Sequence, residues 1–131
     1  MTEPLALVKS VSTSYEATIE AATKALAEQG FGILSEIDVS AALKKRLNAD
    51  YPRTIILGAC NPPFALRTLT AVPDISVLLP CNVVVRETEN GSVEVAAVNP
   101  MTFATMMDNA TVNEVAVEVT ERLQKALAAL V

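Results

Sequence analysis

Histidine and tryptophan are absent from this chain of 131 residues, and aromatic side chains make up only 4% of it. Without histidine, the chain cannot by itself supply a Ser-His or Cys-His nucleophile pair or an imidazole ligand for a metal. Few aromatics and a formal net charge of −5 also argue against nucleic acid as a partner, because that binding relies on phosphate neutralisation and base stacking. We therefore expect no nucleic-acid binding.

Long apolar runs and a signal-peptide pattern are missing as well. No apolar stretch approaches the roughly 20 residues that cross a bilayer. The segment Met1–Leu5 lacks the basic and then apolar order of an export signal. The chain has only two cysteines, and free thiols without an export signal are typical of a reducing compartment. The expectation is a cytoplasmic protein with no membrane association.

What the chain has in quantity is aliphatic side chains, since hydrophobic residues account for 51% of it. Its length suits one domain, residues 1–131, with a core of Val, Leu, Ile and Ala. Apolar runs and alternation predict strands over residues 5–11, 31–37, 53–60 and 76–87, and a further strand from 93 to the Asn99-Pro100 break.

Helices are predicted between these strands from caps and helical spacing. Thr13 with Glu16 and Thr111 with Glu114 match capping boxes at the starts of the first and last helices. Gly30 is a natural stop for the first helix. Ser40 can cap a short second helix, and Asn61-Pro62-Pro63 opens a third, which ends at Pro73. Residues 101–108 read as an irregular segment.

The predicted element order is β-α-β-α-β-α-β-β-α. Asn90-Gly91 between two Val-rich segments predicts an antiparallel hairpin with a type I′ turn. The stretch from Cys60 to Ser76 suits a helical crossover between parallel strands. Together they favour a two-layer α+β domain with a mixed sheet and helices mainly on one face.

The side chains most suited to catalysis or ligand binding are those of the two cysteines and their neighbours. Cys60 lies where a strand meets a helix N-terminus, a position that favours a thiolate, and Cys81 lies within an apolar strand. A reactive thiol, a metal ligand and a small buried side chain are all compatible with Cys60. The two cysteines could form a disulfide, share a metal or simply pack together. A zinc site would need further ligands, from carboxylates or a second subunit.

Basic residues are the other candidates. Arg53 or Arg67 could face the thiol and hold an anion, although a surface position is the default for these and for Arg86. A Gly-rich phosphate loop, a GxSxG motif and a CxxC motif are all missing from the sequence, so no residue is assigned a catalytic role and no metal ligand or cofactor is named.

The segments Ile56–Pro62 and Leu78–Val85 read ILGACNP and LLPCNVVV. In these segments the chain resembles the bacterial and archaeal family known as domain of unknown function 302. The resemblance implies a compact two-layer α+β domain that associates as a dimer, and it implies no activity. It marks the motif positions as candidates only: Cys60, Asn61, Pro62, Pro80, Cys81 and Asn82.

Three functional hypotheses follow. The leading one is a small, dimeric, non-enzymatic module that binds a metal or a small ligand near Cys60 and Cys81, with Asn61, Pro62, Asn82 and Arg67 as further candidate ligand-binding residues. The second is a thiol-dependent enzyme or sulfur carrier with Cys60 as nucleophile. The third is a structural interaction protein whose cysteines are inert in the core.

Overall fold

The structure, a computed structural model, describes residues 3–131. The first two residues of the N-terminal segment discussed above lie outside the described residues. The strands are β1 (Ala6–Val11), β2 (Gly32–Asp38), β3 (Thr54–Cys60), β4 (Cys81–Glu87) and β5 (Val93–Val98). The helices are α1 (Tyr15–Glu28), α2 (Val39–Leu47), α3 (Pro62–Ala71), α4 (Met101–Met106) and α5 (Ala110–Ala128), and a 3-10 helix covers Pro73–Leu78. The α+β class and the predicted order of strands and main helices are confirmed.

The strands form one sheet in the order β1-β5-β4-β3-β2. Each neighbouring pair is antiparallel, so the expected mixed sheet is wrong. Ala59 near the end of β3 pairs with Cys81 at the start of β4. The chain therefore leaves through α3 and returns to the same end of the sheet, whereas a parallel crossover would have returned to the opposite end.

Helices α1 and α5 cover one face of the sheet and enclose the core. Because side chains alternate along a strand, the odd-numbered residues of β3, β4 and β5 point into this layer. The most deeply buried large side chains are Leu57, Val83, Val85, Val95, Val112 and Leu123. Among residues 3–131, no helix is both long enough and apolar enough to cross a membrane.

Two segments differ from the predicted secondary structure. The strand expected from Ser76 begins only at Cys81, because Pro73–Leu78 forms a 3-10 helix and Pro80, without an N–H, cannot join the ladder. The segment expected to be irregular contains α4. Its start is held by the Asn99 side chain, which accepts from Met101 N at 3.1 Å.

The β4–β5 hairpin is confirmed, but its turn is not type I′. Thr88 N donates to Ser92 O at 2.8 Å, and Gly91 N donates to Thr88 O at 3.0 Å. Gly91 has φ +85°, whereas Asn90 is not among the described non-glycine residues with positive φ. This is a three-residue loop that ends in a left-handed glycine. Because Thr88 pairs with Ser92, three residues and not two lie in the loop.

The helix caps are shifted from those expected. Ser14 rather than Thr13 caps α1, and Asn109 rather than Thr111 caps α5. Asp38 rather than Ser40 caps α2, and the Ala41 N–H and the Ser40 hydroxyl donate to its carboxylate and lower its pKa. The cap lies one residue later than expected in α1 and two residues earlier in α2 and α5, because in each helix a neighbouring side chain accepts the free N–H. Gly30 follows α1 with φ +87°, as predicted.

Candidate functional site

A cavity of about 340 Å³ lies at the end of the sheet where β3 finishes and β4 begins. Helix α3, the 3-10 helix and the first half of α5 form its other walls. Aliphatic and aromatic side chains dominate the lining, among them Phe31, Phe64, Ile75, Phe103, Val115 and Val119. Leu34 at the rim is 69% exposed, so the cavity reaches the surface. It is a concave apolar site of the size that binds small molecules.

Both cysteines line this cavity, as do Asn61 and Pro80. The sequence made a meeting of the two cysteines depend on parallel neighbouring strands, whereas the strands that bring both of them to this cavity are antiparallel. Both thiols are free and half-buried. Burial, with a smaller contribution from Cys60, raises the pKa of Cys81 from 9.0 to about 11. Cys81 is therefore a neutral thiol at physiological pH.

Asn61 fixes one wall of the cavity through its side chain. It occupies the N-cap position of α3 but makes no side-chain cap bond. Its Nδ2 instead donates to the carbonyl of Gln29 at 3.2 Å, just beyond the end of α1. The same carbonyl accepts from Arg122 Nη1 at 3.1 Å. One carbonyl thus joins the end of α1, the start of α3 and the middle of α5.

Arg122 also stacks on the cavity wall. Its guanidinium carbon lies 5.2 Å from the centre of the Phe64 ring, within the range of a cation–π contact. The charge sits on the C-terminal side of α1, where the helix dipole favours a cation. Arg122 therefore holds Phe64 in place from behind without entering the cavity lining.

The remaining predicted site residues lie elsewhere. Pro62, Asn82 and Arg67 are exposed and are not part of the cavity lining. Arg67 Nη2 lies 3.4 Å from Glu114 Oε2, a link between α3 and α5 on the surface. The structure brings Cys60, Asn61 and Cys81 together and leaves these three outside.

The other two arginines do not face the thiols. Arg53 pairs with Glu16 and Glu87 and lies 4.5 Å from the centre of the Tyr15 ring. Arg86 Nε lies 3.2 Å from Glu94 Oε1. Each arginine is already neutralised by a carboxylate, which agrees with the default expectation of a surface position.

The cavity offers little to a metal ion. Within the part of the chain that the structure describes, no group of three or more Cys, Asp or Glu side chains could hold one. Two thiols provide half of a tetrahedral zinc set, and carboxylates do not line the cavity. The donor set of one chain therefore does not fit a structural or catalytic metal.

Sequence reasoning missed most of the lining. Phe64, Thr68 and Ala116 read as ordinary inward positions of amphipathic helices, and nothing in their spacing marks a void beside them. Thr68 has its hydroxyl 3.1 Å from the carbonyl oxygens of both Phe64 and Ala65. Of these three residues only Thr68 stands out in the sequence, because it is polar at an inward helical position. Its hydroxyl is already hydrogen-bonded within α3.

A family model described as "Domain of unknown function DUF302" matches residues 7–130. The chain belongs to this family. The family fold is also seen in the crystal structure of an uncharacterised conserved DUF302 protein from Bacillus stearothermophilus. That protein is 29% identical, the match covers 98% of this chain and 100% of the other, and the TM-score is 0.91. No curated protein matches the chain.

Proposed function

We propose that residues 1–131 form one non-enzymatic domain that binds a small, neutral, apolar molecule in the cavity beside Cys60 and Cys81. The observation that carries this proposal is the cavity of about 340 Å³ with its apolar lining. A concave apolar pocket of this size with few polar groups is the usual form of a small-molecule site. A ligand that fills it removes the apolar lining from water, which favours binding.

The lining indicates the chemistry of the ligand. No charged side chain of the described residues lines the cavity. The two polar side chains deepest in it, Asn61 and Thr68, already bond to backbone carbonyls. A buried ionic headgroup would find no partner and would lose its hydration. An apolar cavity of about 150 Å³ holds benzene, so this cavity suits a ligand of roughly bicyclic size.

Binding is favoured over thiol catalysis by the surroundings of the cysteines. The nucleophile of the alternative hypothesis, Cys60, has no basic or cationic side chain beside it in the cavity lining that could accept its proton or pair with a thiolate. The raised pKa of Cys81 opposes the use of the second thiol in its place. Of the two ligand classes considered from the sequence, the donor set also favours a small organic molecule over a metal.

We further propose that the protein is a homodimer and that it acts in the cytoplasm. The dimer is supported by exposed aliphatic residues on the face of the sheet that α1 and α5 do not cover, such as Val8 and Ile37 at 51% and 52% exposure. The two unpaired thiols support a reducing compartment.

The binding proposal is tested with N-phenylnaphthylamine, a neutral dye whose fluorescence rises in apolar surroundings. We expect saturable binding of one dye per chain to the wild type. Ala116→Leu, which adds three carbons to the cavity lining, should weaken binding at least tenfold. Ala126→Leu is the matched control on the same helix outside the cavity. An absence of saturable binding, or equal binding by the folded Ala116→Leu variant, would contradict the proposal.

A further inference from the structure

One face of the sheet carries a continuous apolar row. Register places Val8 beside Ala96, Ala96 beside Val84, Val84 beside Ile56, and Ile56 beside Ile37. The row thus crosses the sheet from β1 to β2. These residues point away from the helical layer because their strand neighbours Leu57, Val83, Val85, Val95 and Ala97 lie in the core. Val8 and Ile37 are 51% and 52% exposed, whereas Ala96 between Val8 and Val84 is 4% exposed. We call this side of the sheet, which α1 and α5 do not cover, the open face.

A second row on the open face is polar. It runs from Ser10 through Glu94 and Arg86 to Thr54. The Arg86 and Glu94 side chains are 40% and 26% exposed and lie 3.2 Å apart. The face therefore presents one charge of each sign on adjacent strands, directly next to its apolar row.

This arrangement is complementary to itself. A two-fold axis parallel to the strands and midway between β4 and β5 exchanges the positions of directly paired residues of these strands. On such an axis Arg86 lies over the partner's Glu94, and Val84 lies over the partner's Ala96. The next strands out follow the same rule, so Ile56 lies over the partner's Val8.

The polar row matches in the same way at its ends, where Thr54 lies over the partner's Ser10. The least complementary match is Asn82 over the partner's Val98, at the margin of the shared area. Each charge thus meets its opposite, and the four aliphatic residues of the row on β1, β5, β4 and β3 meet one another, which is the requirement for an isologous interface. Strand β2 with Ile37 lies beyond the partner's β1 edge and faces no partner strand.

We propose that the open face is the homodimer interface of this protein, with two sheets packed face to face about this axis. The inference rests on the dimer suggested under the proposed function and names its surface. Aligned packing with strand directions within about 30° is the usual geometry of two stacked sheets.

The size of the face sets the expected affinity. The four strands that overlap about this axis, at a spacing of about 4.8 Å and each about 20 Å long, give a projected area on the order of 400 Å². This lies at the small end of specific interfaces. We therefore expect a dimer in the micromolar range of dissociation constants rather than an obligate one.

The experiment uses two charge-reversal variants, Arg86→Glu and Glu94→Arg, and sedimentation velocity between micromolar and submillimolar concentrations. In either variant alone, both interfacial charge pairs become like-charge pairs. We expect at least a tenfold weaker dimer for each. In an equimolar mixture, each introduced charge faces an opposite charge on the partner, and the expected result is a heterodimer about as strong as the wild-type dimer.

The mixture separates contacts between chains from those within one chain. Each variant also has two like charges side by side on its own sheet, and mixing cannot relieve this repulsion unless the two open faces meet. Circular dichroism confirms that each variant is folded, and Arg46→Glu on the exposed side of α2 is the control for net charge. A mixture of folded variants that stays monomeric would overturn the proposal, as would single variants that dimerise like the wild type.

Failure of the interface and failure of the proposed function give different results. A wild-type dimer that both single variants retain overturns the open face alone. A wild type that is monomeric at every concentration overturns the dimer as well. Neither result changes dye binding in the cavity, which lies in the helical layer on the other side of the sheet.

Discussion

Ala116→Leu should stabilise this protein, although it enlarges a residue that is only 4% exposed. Ala116 lies in α5 and borders the cavity of about 340 Å³. The new side chain adds three carbons, and burial of each carbon contributes about 0.8 kcal/mol. Fixing a leucine side chain costs about 0.5–1 kcal/mol. The expected net gain in the free energy of unfolding is therefore about 1–2 kcal/mol.

Thermal unfolding and urea titration measure this gain. For a domain of this length, about 1–2 kcal/mol corresponds to a rise in Tm of about 3–8 °C. The urea midpoint should rise at an unchanged slope.

Ala126→Leu on the same helix is the matched control. Ala126 is 3% exposed, but the void beside it measures only about 10 Å³. The same three carbons must therefore displace packed atoms, and we expect a loss of about 1–3 kcal/mol. If Ala116→Leu destabilises the protein as much as Ala126→Leu does, the cavity is not present in solution and the binding proposal loses its basis.

Two further predictions concern the close packing over Gly58 in β3 and the Cys81 thiol in the cavity lining. Gly58→Ala should lower the free energy of unfolding by about 1–3 kcal/mol, because its Cβ would overlap Ser35 Oγ and lie 2.8 Å from Pro80 Cγ. Urea unfolding measures the loss. Gly32→Ala is the control, since its Cβ would meet no described atom within 4 Å. Cys81 should make stability fall between about pH 9 and 11, because its pKa is raised in the folded state and the unfolded chain loses that proton first. Stability measured across this range should fall less steeply in Cys81→Ala.

One outcome would contradict each of these two predictions. Equal stability of the two glycine variants would mean that β2 and the segment before β4 do not meet closely over Gly58. Equal pH profiles for the wild type and Cys81→Ala would mean that this thiol is exposed to water in the folded protein.

Local features of the fold could be predicted from the sequence because they depend on neighbouring residues. The alternation in residues 31–37 and the apolar run before Cys60 indicated β2 and β3, and the glycine at position 30 ends α1 with φ +87°. The residues around Asn90 indicated the β4–β5 hairpin. Family membership was also readable, since the two cysteine segments resemble a family whose model matches residues 7–130.

Strand direction and register were decided by tertiary structure. The sequence from Cys60 to Cys81 is compatible with a return to either end of the sheet, and only packing of α3 and the 3-10 helix makes β3 and β4 antiparallel. The cap positions depend in the same way on which nearby side chain reaches the free N–H groups first. Single-residue patterns do not determine these choices.

The candidate site was likewise predictable only in part from the sequence. The sequence identified Cys60, Asn61 and Cys81 because a cysteine at a strand end and an asparagine before prolines are unusual locally. It also suggested Pro62 and Asn82, the neighbours of Asn61 and Cys81, and Arg67 in α3, but these three side chains lie outside the cavity lining. The cavity itself is a volume that side chains from distant segments fail to fill. A void has no residue type or spacing of its own, so only the tertiary structure could reveal it.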